Sequence, residues 1–312
     1  MAASLLLILL GLALLVAGGE SVVRGGSSVA ARLRVPEYLI GATVVAFGTS
    51  APELAVTVTA SLKGAPDLAL GNVVGSNIAN LGLILGLAAL LRPVVAPVKS
   101  LLDEIWTIVG VVVLLLVFGW DGNITRLEGI LLLIAMVAAM IHTVRGAHKA
   151  RTEGFHNDEV QHYRTIVAIP LLIVGLLLLY FGGKVLVEGS VQIAEAFGVP
   201  QWVIGALIVA VGTSTPEIAA SAVAAYRGRG DLAVGNVIGS NLFNTFFVLG
   251  TGATIRPMVI NIGIHFDLIV FAALSTLAVG VMLWRKRLSR TWGAVLLAAY
   301  LAYVVTRVLM NA

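Results

Sequence analysis

The chain has 312 residues, of which 59% are hydrophobic and only 12% charged, with 34 glycines, no cysteine and a formal net charge of +4. Its mean hydropathy is +1.02 and its pI about 9.6. Soluble domains average about 45–50% apolar and about 25% charged residues, so lipid is the expected solvent, and without cysteine, disulfides, thiolate metal sites and cysteine nucleophiles are all excluded.

A helix that crosses a bilayer takes about 20 mostly apolar residues. In chain order the sequence predicts ten such helices, at 2–19, 37–61, 66–91, 103–119, 125–144, 165–187, 200–225, 231–254, 265–284 and 291–310. The first lacks the basic leader of a signal peptide. A matching segment recurs near 166–183, so the first segment reads as a helix of the fold. Proline or charge marks most junctions, as at Arg92-Pro93, Trp120-Asp121-Gly122 and Arg256-Pro257. The hydrophilic stretch 142–164 is the longest loop and separates two groups of five helices. The expected organisation is a first five-helix unit at 1–145, a cytoplasmic linker at 146–164 and a second five-helix unit at 165–312.

Lysine and arginine set the orientation of such a protein. With the N-terminus outside, the cytoplasmic loops hold 15 of the 20 basic residues, among them Arg24, Arg32, Arg34, Arg227 and Arg229. The other side holds Lys63, Arg126, Lys184, Arg256 and Arg307. The expectation is a multi-pass protein of the cell membrane with both termini extracytoplasmic. The basic pI then reflects orientation in the bilayer and requires no nucleic acid.

The two groups of helices are copies. Gly48-Thr-Ser-Ala-Pro-Glu53 recurs as Gly212-Thr-Ser-Thr-Pro-Glu217, and Gly71-Asn-Val-Val-Gly-Ser-Asn77 as Gly235-Asn-Val-Ile-Gly-Ser-Asn241. Val35-Pro36 and Arg92-Pro93 recur as Val199-Pro200 and Arg256-Pro257, always 164 positions later. Between 40 and 80, 23 of 41 positions are identical to their counterparts. A duplication kept only for packing would hold its identity in apolar positions, whereas here the most similar stretch is polar. Five spans is an odd number, so the second unit is expected upside down relative to the first. Inverted repeats are a transporter architecture with the substrate near the midplane.

Glu53 and Glu217 lie deep inside predicted spans. A charge at the bilayer centre costs about 2.5–3.5 kcal/mol even on insertion scales, and such residues mark function. On a helix Thr49, Ser50 and Glu53 share one face. Pro52 frees the carbonyl of Gly48 and weakens the helix there, so backbone oxygens from Ala46 to Thr49 are expected to line a cavity. Ala210 to Thr213, Ser214, Pro216 and Glu217 repeat the arrangement. The next span carries a polar stripe of Asn72, Ser76 and Asn80, repeated as Asn236, Ser240 and Asn244. All of these are hard oxygen donors, and no histidine lies in the motifs. Hard oxygens suit Ca²⁺ and alkali cations, and two carboxylates give a charge that one Ca²⁺ neutralises. Mg²⁺ holds its water too tightly to enter a dry site readily.

The doubled Gly-Thr-Ser-x-Pro-Glu and Gly-Asn-x-x-Gly-Ser-Asn segments resemble the two alpha-repeats of the cation/Ca²⁺ exchanger superfamily, closest to prokaryotic Na⁺/Ca²⁺ exchangers. The resemblance covers essentially the whole chain. It implies an all-α polytopic membrane fold of ten helices in two inverted five-helix repeats, and antiport of Ca²⁺ against Na⁺ by alternating access. By motif position it implies Glu53 and Glu217 as central carboxylates, with backbone and hydroxyl oxygens from Thr49 and Thr213. Ser50, Ser76, Ser214 and Ser240 would line flanking Na⁺ sites with the carbonyls of Ala46 and Ala210, and Asn80 and Asn244 would sit at the midplane. Several family members carry aspartate at one or both of the last two positions, so H⁺/Ca²⁺ exchange at the same site is the alternative. The first and sixth spans would form a sliding gate. Gly18-Gly19, Gly25-Gly26, Gly182-Gly183 and Gly189 fit that role and fit plain tight packing equally.

Other classes fare worse. A serine hydrolase built on Ser50 or Ser214 has no intramembrane His or Lys as base, and broken helices in inverted repeats suit alternating access better than a channel. The expectation is a transporter rather than an enzyme. It needs no cofactor, takes Ca²⁺, Na⁺ and the lipid bilayer as partners, and functions as a monomer.

Overall fold

A computed structural model of the chain describes residues 1–95, 110, 117, 122–152, 163–198, 210–260 and 262–311. Helix α1 (Ala2–Leu33) ends where Arg34 turns left-handed at φ 56° and its N–H bonds the carbonyls of Ala30 and Ala31. Pro36 bars any continuation. Then follow α2 (Glu37–Ile40), a π-helical turn at Gly41–Val45, α3 (Ala46–Thr49), α4 (Ala51–Leu62), α5 (Pro66–Ala79), a second π turn at Asn80–Ile84, α6 (Leu85–Leu91) and β1 (Val94–Val95). After β2 (Asn123–Ile124) come α7 (Arg126–Thr152) and α8 (Thr165–Ala196). Next are α9 (Ala210–Thr213), α10 (Thr215–Tyr226), α11 (Gly230–Leu242), a π turn at Phe243–Leu249, α12 (Gly250–Ile255), β3 (Met258–Val259), α13 (Ile262–Arg285), β4 (Arg287–Leu288) and α14 (Arg290–Asn311).

Among the described residues seven continuous helices are long and apolar enough to cross a membrane, and Glu37–Thr49 with Ala51–Leu62 makes an eighth, bent by 44°. These correspond to eight of the ten predicted spans. The predicted span 103–119 and the first part of 200–225 lie outside the described residues.

Three predicted ends are too early. Helix α1 continues past 19 to Leu33, α8 past 187 to Ala196, and α7 past 144 to Thr152. At 1.5 Å per residue the 32-residue α1 is about 48 Å long, well beyond a hydrocarbon layer of about 30 Å. Apolar windows find only the part of a helix that lies in lipid. Arg24 and Arg32 therefore sit on a helix and not in a loop.

Helices α1 and α8 are repeat equivalents, and they pack antiparallel through a seam of small residues spaced by seven. A Cβ on Gly11 would meet Gly182 O at 2.9 Å, one on Gly18 would meet Gly175 O at 2.9 Å, and one on Gly25 would meet Ala168 O at 2.9 Å. Gly189 closes the series against Ser4 O at 2.8 Å. The partner number falls as the first rises, which fixes the direction. The neighbouring glycines face the other way: Gly19 lies against Val223, and Gly183 against Pro216. Each Gly-Gly pair thus serves the partner helix with one residue and the rest of the protein with the other.

The contacts follow the repeat as faithfully as the residues do. Strand β1 pairs with β4 and β2 with β3. Shifting β1 by 164 gives β3 and shifting β2 gives β4, so each sheet is the repeat image of the other. Arg126 Nη2 donates to Ile255 O at 3.4 Å, and its image Arg290 Nη2 donates to Leu91 O at 3.3 Å. Reciprocal contacts of this kind are the signature of a two-fold axis. Both glutamate motifs lie where the two halves meet.

Candidate functional site

The break after α3 falls at Ser50, with φ −80° and ψ 6°, and the break after α9 falls at Ser214, with φ −85° and ψ 6°. Pro52 and Pro216 each occupy the first turn of the following helix, where a missing N–H costs nothing. Glu53 and Glu217 stand in the same first turns, near the helix N-termini that favour negative charge. The proline motif therefore ends one helix, starts another, and aims a carboxylate from the new start.

The two carboxylates are buried, at 0% and 1% exposure, and each is held by the opposite half. Ser50 Oγ donates to Glu217 Oε1 at 3.2 Å, and Ser214 Oγ donates to Glu53 Oε1 at 3.0 Å. Ser76 Oγ lies 3.4 Å from Glu53 Oε1 and 3.3 Å from Ser214 Oγ. Thr49 Oγ1 bonds Asn236 Oδ1 at 3.2 Å. The Ala46 carbonyl accepts the Ser50 N–H at 3.0 Å and Thr49 Oγ1 at 3.3 Å. Ala210 opens the equivalent helix.

Several buried polar atoms have no hydrogen-bond partner among the described residues. They are Glu53 Oε2, Glu217 Oε2, Ser240 Oγ, Asn80 Oδ1 and both side-chain polar atoms of Asn244. Orphaned buried polar groups cost about 1–3 kcal/mol each, and most of these are oxygens that a cation would satisfy. Nor do the glutamates have a cationic partner among the described residues. Asp267, another strongly buried acid of the spans, does: it pairs with Arg307 at 2.9 Å. Among the described residues no three His, Cys, Asp or Glu come together. The charge offered is thus that of two carboxylates alone, set among neutral oxygens.

The structure adds side chains that the sequence reading left out. Asn72 Nδ2 donates to Thr57 Oγ1 at 3.0 Å and to Glu53 O at 3.2 Å, and Asn236 Nδ2 donates to Ser221 Oγ at 2.9 Å. Thr57 and Ser221 are hydroxyls at repeat-equivalent positions four residues beyond the glutamates, a signal present in the sequence. Asn80 Nδ2 donates to Asn241 Oδ1, and Asn77 Nδ2 donates to Thr245 Oγ1, both at 2.9 Å. Thr245 had no such signal, because Leu81 occupies the equivalent position.

The sequence pattern described as sodium/calcium exchanger protein matches residues 3–145 and again 167–309. The chain belongs to the sodium/calcium exchanger family. The two matched stretches are themselves 164 positions apart, so each half carries the exchanger pattern on its own. The chain is 38% identical over 305 residues to a putative antiporter, CaxA, of Alkalimonas amylolytica, covering 95% of this chain and 96% of that one. It is 32% identical to the sodium/calcium exchanger MaX1 of Methanosarcina acetivorans, covering 96% and 97%. Its fold matches the sodium-calcium exchanger NCX_Mj with a TM-score of 0.86 at 32% identity, covering 97% of both chains. This exchanger-family chain is therefore a polytopic, all-helical membrane protein of a cation/Ca²⁺ antiporter family.

Proposed function

We propose that the protein exchanges Ca²⁺ for Na⁺ across the membrane by alternating access at one midplane site. The observation that carries this reading is the pair of buried glutamates, each bonded by a serine of the opposite half and neither matched by a cation among the described residues. One Ca²⁺ neutralises the two carboxylates, and so do two Na⁺. Either ion satisfies the free oxygens of Glu53, Glu217, Ser240, Asn80 and Asn244. Ser50, Ser214 and Ser76 hold the carboxylates from both halves. Ala46 and Ala210 supply backbone oxygens at the two helix breaks. For Ala46 to bind an ion, its bond from the Thr49 hydroxyl must open.

The transmembrane arrangement in this reading is ten helices in two inverted units, with the termini outside and one chain as the working unit. The antiparallel packing of the equivalent helices α1 and α8 supports inversion. The loop contacts support the sides: β1 and β4 both belong to loops assigned to the cytoplasm, and β2 and β3 both to loops assigned to the other face.

The alternative is H⁺/Ca²⁺ exchange, favoured by the asparagines at 80 and 244 and by a carboxylate oxygen on each glutamate free to take a proton. Ca²⁺ uptake into proteoliposomes separates the two. Uptake driven by a Na⁺ gradient at equal pH is expected. Uptake driven by a pH gradient and indifferent to Na⁺ overturns the Na⁺ reading.

A further inference from the structure

Away from the paired glutamates, α1 and the turn between α10 and α11 enclose a cavity of about 280 Å³. Arg24, Arg227 and Arg229 line it together with Glu20, Ser27 and Tyr163. Three guanidinium groups face one carboxylate. Glu20 accepts the Nε–H of Arg24 at 2.6 Å and the Nε–H of Arg227 at 2.7 Å, and each guanidinium carries five donors in all. Arg229 Nη1 lies 3.3 Å from Glu37, a buried carboxylate behind the cavity wall that has a second acid, Asp231, near it. Ser27, which also lines the cavity, is only 2% exposed, and its hydroxyl has no hydrogen-bond partner among the described residues. Among the described residues that line the cavity, three arginines stand against the single carboxylate of Glu20.

This is also where the chain departs from its own symmetry. The repeat images of Glu20, Arg24, Ser27, Arg227 and Arg229 are Lys184, Glu188, Val191, Lys63 and Ala65. The duplication preserves the oxygens around the glutamates but does not preserve this cluster, so the fold does not require it. We infer that the cavity binds a phosphate-bearing anion on the face where the basic loops gather, at a site separate from the glutamates. The planar forks of arginine match phosphate oxygens, and an oxyanion here takes up both guanidinium donors and the Ser27 hydroxyl. The phosphate comes either from the headgroup of an anionic phospholipid or from free phosphate in solution.

The test uses the full chain purified in detergent. Its thermal unfolding midpoint is followed while inorganic phosphate is titrated in one arm and phosphatidylglycerol in mixed micelles in another, with phosphatidylcholine as the uncharged control. A rise with phosphatidylglycerol alone assigns the lipid, and a rise with inorganic phosphate assigns the free ion. In either case Arg24→Gln and Arg229→Gln are expected to abolish the rise, and Ser27→Ala to weaken it while leaving the ion pairs intact. Glu20→Gln removes the competing carboxylate and is expected to lower the half-saturating anion concentration several-fold. An internal ion-pair network predicts the opposite for Glu20→Gln: lower stability and no gain in anion response. That result, no rise with either anion, or a rise that survives in both arginine variants overturns the inference.

Discussion

Ser50 donates to Glu217 at 3.2 Å across the boundary between the two halves, and its repeat image Ser214 donates to Glu53 at 3.0 Å. Neither half holds its own carboxylate by this bond. Moving one half relative to the other therefore acts directly on both glutamates. A hydrogen bond to a charged group is worth about 1.5–3 kcal/mol. Ser50→Ala and Ser214→Ala are each expected to raise the Ca²⁺ concentration for half-maximal uptake by about 10- to 100-fold. Initial rates of ⁴⁵Ca²⁺ uptake in proteoliposomes read this out, and unchanged affinity in both variants rejects the role.

Glu53→Gln and Glu217→Gln keep the shape of the side chain and remove half of the site's charge. Each is expected to abolish Ca²⁺ transport while the protein still elutes as a folded species on size-exclusion chromatography. Measurable uptake in both variants removes the glutamates from the site.

Asn244 has no hydrogen-bond partner among the described residues for either of its polar side-chain atoms, so a carboxylate placed there faces the other two across the same space. With three carboxylates, one Ca²⁺ leaves a net negative charge that a second cation must cover. Asn244→Asp is expected to make Ca²⁺ uptake depend on a co-bound Na⁺ or proton, and to lower it when both are scarce. Uptake with the wild-type dependence on Na⁺ and pH counts against a midplane position for Asn244.

The seam between α1 and α8 predicts a contrast between neighbouring glycines. A Cβ on Gly18 would sit 2.8 Å from Leu179 N, whereas one on Gly183 finds nothing closer than Pro216 Cδ at 3.5 Å. Gly18→Ala is expected to destabilise by about 1–3 kcal/mol, the usual cost of overpacking, and Gly183→Ala to be near neutral. Thermal melts of the purified variants in one detergent decide this.

The buried Asp267 pairs with the partly exposed Arg307 at 2.9 Å, joining α13 to α14. Removing one partner of a fully buried pair costs about 3–5 kcal/mol because the other charge is stranded, and the water that reaches Arg307 lowers that cost here. Arg307→Gln is expected to lower the melting midpoint, and Asp267→Asn with Arg307→Gln to recover part of the loss. The Ca²⁺ affinity of whatever protein remains folded is expected to be unchanged.

The membrane solvent, the duplication, the helix breaks and the two glutamates could be read directly from the sequence. They rest on composition, on a constant offset of 164 and on the local chemistry of proline and glycine, and none of these needs a partner in space. Helix ends were the weak point. Lipid thickness limits apolarity but does not limit a helix, so α1 and α8 run on where the hydropathy fades.

Which atoms meet was decided only by the tertiary structure. The cross-half serine bonds, the antiparallel seam of glycines seven apart and the Asn77–Thr245 contact join residues between 100 and 200 positions apart, and no local pattern encodes such pairings. The same holds for the matched charge of Asp267 against the unmatched charges of Glu53 and Glu217. In sequence all three are acids within predicted spans, and only the position of Arg307 in space separates the paired aspartate from the two glutamates that have no cationic partner among the described residues.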